Sequence, residues 1–367
     1  MNALAVHRMF HWITRYGCVG ALLGVITFFI ATGCRSVAPP ARSGVAPSAV
    51  DTPSMVFMEA VPRPVVTTRV AVTPSSPLVA DVLLDYPDDS SHASIPVALG
   101  RLAPQWLIVD FGSESGVLWP ATRHALGGET SLIDTAGALG YGGVTRAELV
   151  VLDSLSIGNG VQKQIEFLVL DVPGLLHLKP SATSPNVGLM GKDVLVAYDV
   201  VLDFPARRFR LYAPSTNASH APSYLRGLAC VPNLARSEEH NIVIAVTVNG
   251  HPAKAILDTG APLTILAWDF AGALGITPSS PGVHPIGKLA NVVGGAIVEY
   301  TVPDMHVTVG EVPLRDRILR FGKEQMVMIE GMQPEVILGL NSVSDRVLVI
   351  TAGARQVCLG PSSSAVR

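Results

Sequence analysis

Two Asp-x-Gly triplets stand out, Asp110-Phe111-Gly112 and Asp258-Thr259-Gly260, each at the end of a short apolar run (WLIVDFG, residues 106–112; AILDTG, residues 255–260). A lone Asp-x-Gly is a common turn. Two carboxyl groups about 3 Å apart cannot both ionise, so a facing pair would share one proton. The ionised member could take a proton from water and the protonated member could donate to a carbonyl oxygen. Such a titration belongs to the pair, and the sequence assigns neither role to Asp110 or Asp258.

A duplicated frame is what would bring the two together. Residues 106–127 (WLIVDFGSESGVLWPATRHALG) align without gaps on residues 254–275 (KAILDTGAPLTILAWDFAGALG), with Ala125-Leu126-Gly127 falling on Ala273-Leu274-Gly275. Leu189-Met190-Gly191 then matches Ile337-Leu338-Gly339, and the spacing from Asp to that Gly is 81 residues in both halves. Gly143 to Gly158 and Gly295 to Gly310 are each 15 apart. The glycine after each Asp-x lets the loop turn tightly and approach its neighbour. Gly191 and Gly339 would let a strand pass close behind each loop.

The elements that carry these residues read as strands. From about residue 65 the chain runs as short segments rich in Val, Ile and Leu between Gly and Pro: VVTTRVAV, PLVADVLLDYP, ASIPVALG, QWLIVDFG, AELVVLDSLSIG. Such runs of five to eight residues predict strands. Short helices are predicted only near Thr122–Leu126 and Trp268–Leu274, and Trp119 reads as a core residue. The fold class is all-β, written as two similar halves with the seam near residues 213–225.

These motifs resemble the bilobal, pepsin-like aspartic proteases over roughly residues 90–360. QWLIVDFGSESGVLWP is similar to the first active-site segment of that family, and AILDTGAPLTIL to the second, nearer its retropepsin-like branch. The resemblance implies two β-barrel-like lobes with a cleft between them, a catalytic pair Asp110 and Asp258, an extended peptide or protein substrate, and no metal or organic cofactor. It also implies that Ala138–Gly143, with Tyr141 and Gly142, is a flap; an exposed hairpin is the other reading of that segment. One departure matters. The family has Thr after both aspartates, whose hydroxyls hold the facing loops together. Thr259 can do so, whereas Phe111 cannot and would have to repack the base of the cleft. Ser113 is expected to hydrogen-bond Asp110, with Ala261 offering no hydroxyl in the second half. A catalytically inactive scaffold serving as a binding or structural module is therefore the alternative reading.

Composition narrows the remaining classes. The chain has 367 residues, 49% hydrophobic and 15% charged, with mean hydropathy +0.41, which excludes a chiefly disordered state. Lys and Arg number 26 against 29 Asp and Glu, leaving no basic field for nucleic acid. Four cysteines without a C-x-x-C pair suggest neither a disulfide scaffold nor zinc. The ten His are scattered without metal-ligand spacing. Gly282–Lys288 imitates a phosphate loop, but Pro285 sits inside it and Leu289 replaces the needed hydroxyl.

The N-terminus reads as an address. Nineteen uncharged residues lie between Arg15 and Arg35, preceded by a basic segment without acids, the pattern of a secretory signal. It ends in Ala31-Thr32-Gly33-Cys34, which resembles the lipobox of bacterial lipoproteins with Cys34 as the lipidated residue. An uncleaved membrane anchor is the alternative. Either tethers a monomer outside the cytoplasmic membrane, and Arg35 after the cysteine favours the outer membrane if the cell is Gram-negative. The expected organisation is signal 1–33, Pro/Ala/Ser-rich linker 34–64, N-terminal lobe 65–215 and C-terminal lobe 216–367. An oxidising compartment would allow Cys230 and Cys358 to form a disulfide, a pairing the sequence leaves open.

Overall fold

The run before each Asp is apolar on both faces, so it can only be a strand buried between neighbours. In the computed structural model, residues 59–60, 78–86, 92–140, 143–170, 186–214, 222–235, 241–290, 296–315, 317–322 and 333–361 are described. The signal, Cys34, most of the linker, the run VVTTRVAV, and Tyr141 and Gly142 lie outside them. Strand Gln105–Val109, with Leu107, Ile108 and Val109 buried, delivers Asp110. The chain turns and returns as strand Gly116–Leu118, followed by helix Pro120–Leu126. That helix starts with a proline whose fixed φ suits the first turn and stops at Gly127, φ 53°, in the left-handed region that favours glycine.

Strand Asn186–Met190 fills the gap between these two. It runs parallel to the first (Ile108 beside Leu189, Val109 beside Met190) and antiparallel to the second (Val117 beside Leu189). The second half repeats this with strands His251–Leu257 and Ile265–Ala267 around strand Val336–Leu338, again parallel on one side and antiparallel on the other. Every one of those pairs (Ile256–Ile337, Leu257–Leu338, Ile265–Ile337) sits 148 residues beyond its counterpart. Helix Trp268–Ala273 follows, as its twin does in the first half. The fold is all-β and two-lobed, and helices are short among the described residues.

The halves also share a sheet. Its six strands run in the order Ala229–Pro232, Gln356–Leu359, Val347–Ile350, Asp199–Asp203, Arg208–Tyr212, Leu78–Leu83. At its centre Asp199–Asp203 pairs antiparallel with Val347–Ile350, one strand from each half. At one edge Cys230 lies opposite Cys358 and the two are joined by a disulfide across 128 residues of sequence. Closing a loop of that length is worth roughly 4–5 kcal/mol in the chain-entropy account. One continuous core joins the halves as well: Leu107, Val109 and Phe111 cluster with Leu257, Leu266 and Leu338, all buried.

Candidate active site

Each aspartate is fixed from its backbone outward. The Asp110 N–H donates to the Met190 carbonyl at 3.0 Å, and the Asp258 N–H donates to the Leu338 carbonyl at the same distance. Asp110 Oδ1 accepts from the Gly112 N–H at 2.8 Å and the Ser113 N–H at 3.0 Å. Asp258 Oδ1 accepts from Gly260 and Ala261 at 2.8 and 3.0 Å. Amide donors thus hold one oxygen of each carboxyl, and the two acids lie close enough for each to act on the other's ionisation. A Cβ added at Gly112 would overlap the Asp258 carboxyl, and one at Gly260 would overlap Asp110. Each loop therefore presents bare backbone to the opposite acid.

The glycines 81 residues on do what their spacing suggests. A Cβ on Gly191 would strike the Ser115 backbone, and one on Gly339 the Leu263 backbone. Beyond them the Lys192 and Asp193 amides donate to the Ser113 and Glu114 carbonyls, while the Leu340 and Asn341 amides donate to Ala261 and Pro262.

Thr259 spans the two loops. Its hydroxyl accepts from the Phe111 N–H at 2.9 Å and donates to the Val109 carbonyl at 2.8 Å, deep in the protein. A phenyl ring offers neither a donor nor an acceptor for the mirror-image pair. The Phe111 ring does not fill the cleft: it is fully buried within the shared core. The expectation for Ser113 needs correcting. Its amide, not its hydroxyl, bonds Asp110, and the hydroxyl donates to the Ser115 carbonyl at 2.7 Å. Ala261 consequently lacks nothing that Ser113 supplies to its aspartate. Trp119 is core, its indole N–H donating to the Asn186 carbonyl. Strands Thr130–Gly140 and Gly143–Ile157 form the hairpin that flanks Tyr141 and Gly142.

Burial is the largest influence on both acids and pushes both above the usual carboxylate range. The four loop amides oppose that rise, and the charge of Asp110 raises Asp258 further. A pair so placed holds one proton between two acids over mildly acid pH.

A ring of supporting residues escaped the sequence reading. Asp193 Oδ2 accepts from the Gly116 N–H at 3.1 Å, bracing the return strand. Burial lifts its acid to about 7, against the amides of Gly116 and Val194. Asn341, its counterpart, accepts from the Thr264 N–H and hydroxyl at 2.9 and 3.0 Å. Lys192 is buried beside Asn241, and Leu340 takes the corresponding place. Extending the repeat alignment two residues past Gly191 and Gly339 (GKD against GLN) would have pointed to these positions.

A family model described as aspartyl protease matches residues 95–194 and again 244–342, more than half of the chain. The chain belongs to that family. Both matched stretches contain one Asp-x-Gly loop and the strand behind it, so the chain carries the family unit twice. Among solved structures, the aspartic proteinase from Irpex lacteus matches with 13% identity and a TM-score of 0.46, covering 77% of this chain and 97% of that one. No curated protein matches this chain.

Proposed function

We propose that this aspartyl protease is an endopeptidase tethered to the cell envelope. A water between Asp110 and Asp258 loses a proton to the ionised acid and attacks the peptide carbonyl, whose oxygen takes the proton of the other acid. The observation that carries the reading is the placement of two carboxyls face to face, each against the glycine of the opposite loop and each anchored by two amides of its own. The substrate is an extended peptide, held by main-chain hydrogen bonds to strand edges lining the cleft. Lipid on Cys34 anchors a monomer outside the cytoplasmic membrane, with the Pro/Ala/Ser-rich segment as its stalk. Nucleic acid is no partner, given the net charge of −3.

Phe111 is the observation that favours a second reading, a scaffold retained for binding after the Thr259 interaction lost its twin. The test is cleavage of denatured casein from pH 3 to 7 by the full chain in detergent, alongside Asp258→Asn and Asp110→Asn and with a transition-state-mimicking peptide inhibitor. Cleavage that disappears with either substitution and with the inhibitor supports the enzyme. Undiminished cleavage in either variant overturns it. A folded but inert wild type that gains activity on Phe111→Thr supports the retired scaffold.

A further inference from the structure

The two loops agree in backbone but not in the charge behind them. Lys192 is 2% exposed and extends its ammonium to 3.3 Å from Asn241 Oδ1, in the other half, and 3.9 Å from Glu114 Oε1. Its own N–H donates to Ser113, so the cation is attached directly behind the Asp110 loop. The matching positions in the second half are Leu340 for Lys192 and Pro262 for Glu114. Strand register makes His92 the first-half equivalent of Asn241, since Ser94 pairs with Ile108 as Val243 pairs with Ile256. Leu340 is fully buried, and so no cation stands behind Asp258 from that place.

Sequestering an ammonium from water is costly unless partners compensate. Here a carboxylate and an amide oxygen do so, and what remains is an attraction felt by Asp110, whose charged form Lys192 favours. Among the described residues, the other ionisable groups facing this corner include Asp258, Glu114 on the same loop, Asp193 on the following turn with Glu166 acting on it, and His92 against Gly260.

We propose that Lys192 is a positioning residue that removes the equivalence of the two acids, holding the negative charge of the singly protonated pair on Asp110 and the proton on Asp258. This rests on reading the pair as the reactive centre. Water then gives its proton to Asp110 as its oxygen bonds the carbonyl carbon, and the carbonyl oxygen takes the proton of Asp258. The product of that step is a neutral gem-diol, with the pair's proton now on Asp110.

The experiment pairs two readouts on the full chain in detergent: carboxyl ¹³C titration of labelled aspartates, assigned with Asp110→Asn, and the pH profile of kcat/KM on a peptide. In Lys192→Met the lower apparent pKa of the pair and the acid limb of the profile should both rise by about one pH unit. On the acid side that is a loss of about tenfold, shrinking as pH rises. Lys192→Arg should restore both. Glu114→Gln, which removes the opposing charge and spares the buried ammonium, should move the limb the other way and serves if Lys192→Met does not fold. An unmoved titration in Lys192→Met, or in Glu114→Gln where that variant stands in, overturns the proposal. A titration shift without any cleavage would support the charge assignment while sinking the endopeptidase; cleavage without the shift would do the reverse.

Discussion

The Asp110 and Asp258 loops are superimposable in their hydrogen bonds and dissimilar in nearly every side chain that surrounds them. Both acids accept two amides at 2.8 and 3.0 Å, and both are donors to the strand behind at 3.0 Å. Around them Phe111 faces Thr259, Lys192 corresponds to Leu340, Asp193 to Asn341 and His92 to Asn241. The difference separates two kinds of constraint. Bringing two acids into contact demands a particular backbone path from each half, and glycine is the residue that path cannot lose. The shell outside it has only to be filled and hydrogen-bonded, so the halves were free to diverge there.

The strictest way to break the comparison is at the glycines facing the acids. Gly112→Ala and Gly260→Ala each push a methyl group into the opposite carboxyl. Separating the acids by about an ångström should lower kcat/KM by about a hundredfold, with both variants still folded by circular dichroism. Because the two collisions are mirror images, the losses should agree within a small factor. A loss confined to one variant would mean the loops are less alike than their hydrogen bonds imply.

The next largest effect is expected where the shells differ in ionisation. Asp193 and Asn341 brace the same turn, but only Asp193 titrates, with an acid held at about 7. The residue is partly exposed while its carboxyl is enclosed. An acid kept protonated in the fold costs nothing below its unfolded value of about 3.9 and destabilises progressively as pH rises from there toward 7. Asp193→Asn copies the second half and removes that slope. Chemical denaturation at pH 4 and pH 7 should show the variant gaining about 3 kcal/mol on wild type between the two. Parallel curves would mean the Asp193 carboxyl is ionised in the fold.

How much of this was legible in the chain follows the same division. The paired spacing of 81 residues, the apolar runs that fall among the described residues and the two short helices near Thr122 and Trp268 lie where the strands and helices are found. Those signals are local or periodic, and a backbone path that tolerates only glycine writes itself into the residue type. The direction of the Ser113 hydroxyl was not legible, because a hydroxyl can satisfy itself on any nearby carbonyl and here chose Ser115. Nor was the withdrawal of Phe111 into a core built from both halves, since that requires knowing what lies 150 residues away. The shared six-stranded sheet escaped for the same reason: a repeat announces two units without saying that they join edge to edge. Cys230 and Cys358 could be named as partners, but only the register of their strands sets them opposite each other.

The smallest effect tests the other mismatched pair. His92 is buried against the Gly260 backbone with neither ring nitrogen in a hydrogen bond of good geometry. Burial lowers its pKa to about 4, the nearby Gly260 backbone only partly opposing it. A histidine kept neutral in the fold is without consequence above about 6.5, where the unfolded chain is neutral as well. As pH falls through 6.5 toward 4 the unfolded state takes up a proton that the fold refuses, so stability falls with acidification. This is opposite in sign to Asp193, and the two slopes overlap between about pH 4 and 6.5. His92→Asn places in the first half what Asn241 already is in the second. Its loss of packing shifts the whole stability curve by a constant, whereas its pH dependence should flatten by just under about 3 kcal/mol between pH 7 and pH 4. The double variant with Asp193→Asn should then show both changes added, because a buried neutral imidazole and a buried neutral acid exert little field on each other. A marked departure from additivity would place them in one coupled network and make the divergence of the two shells a concerted one.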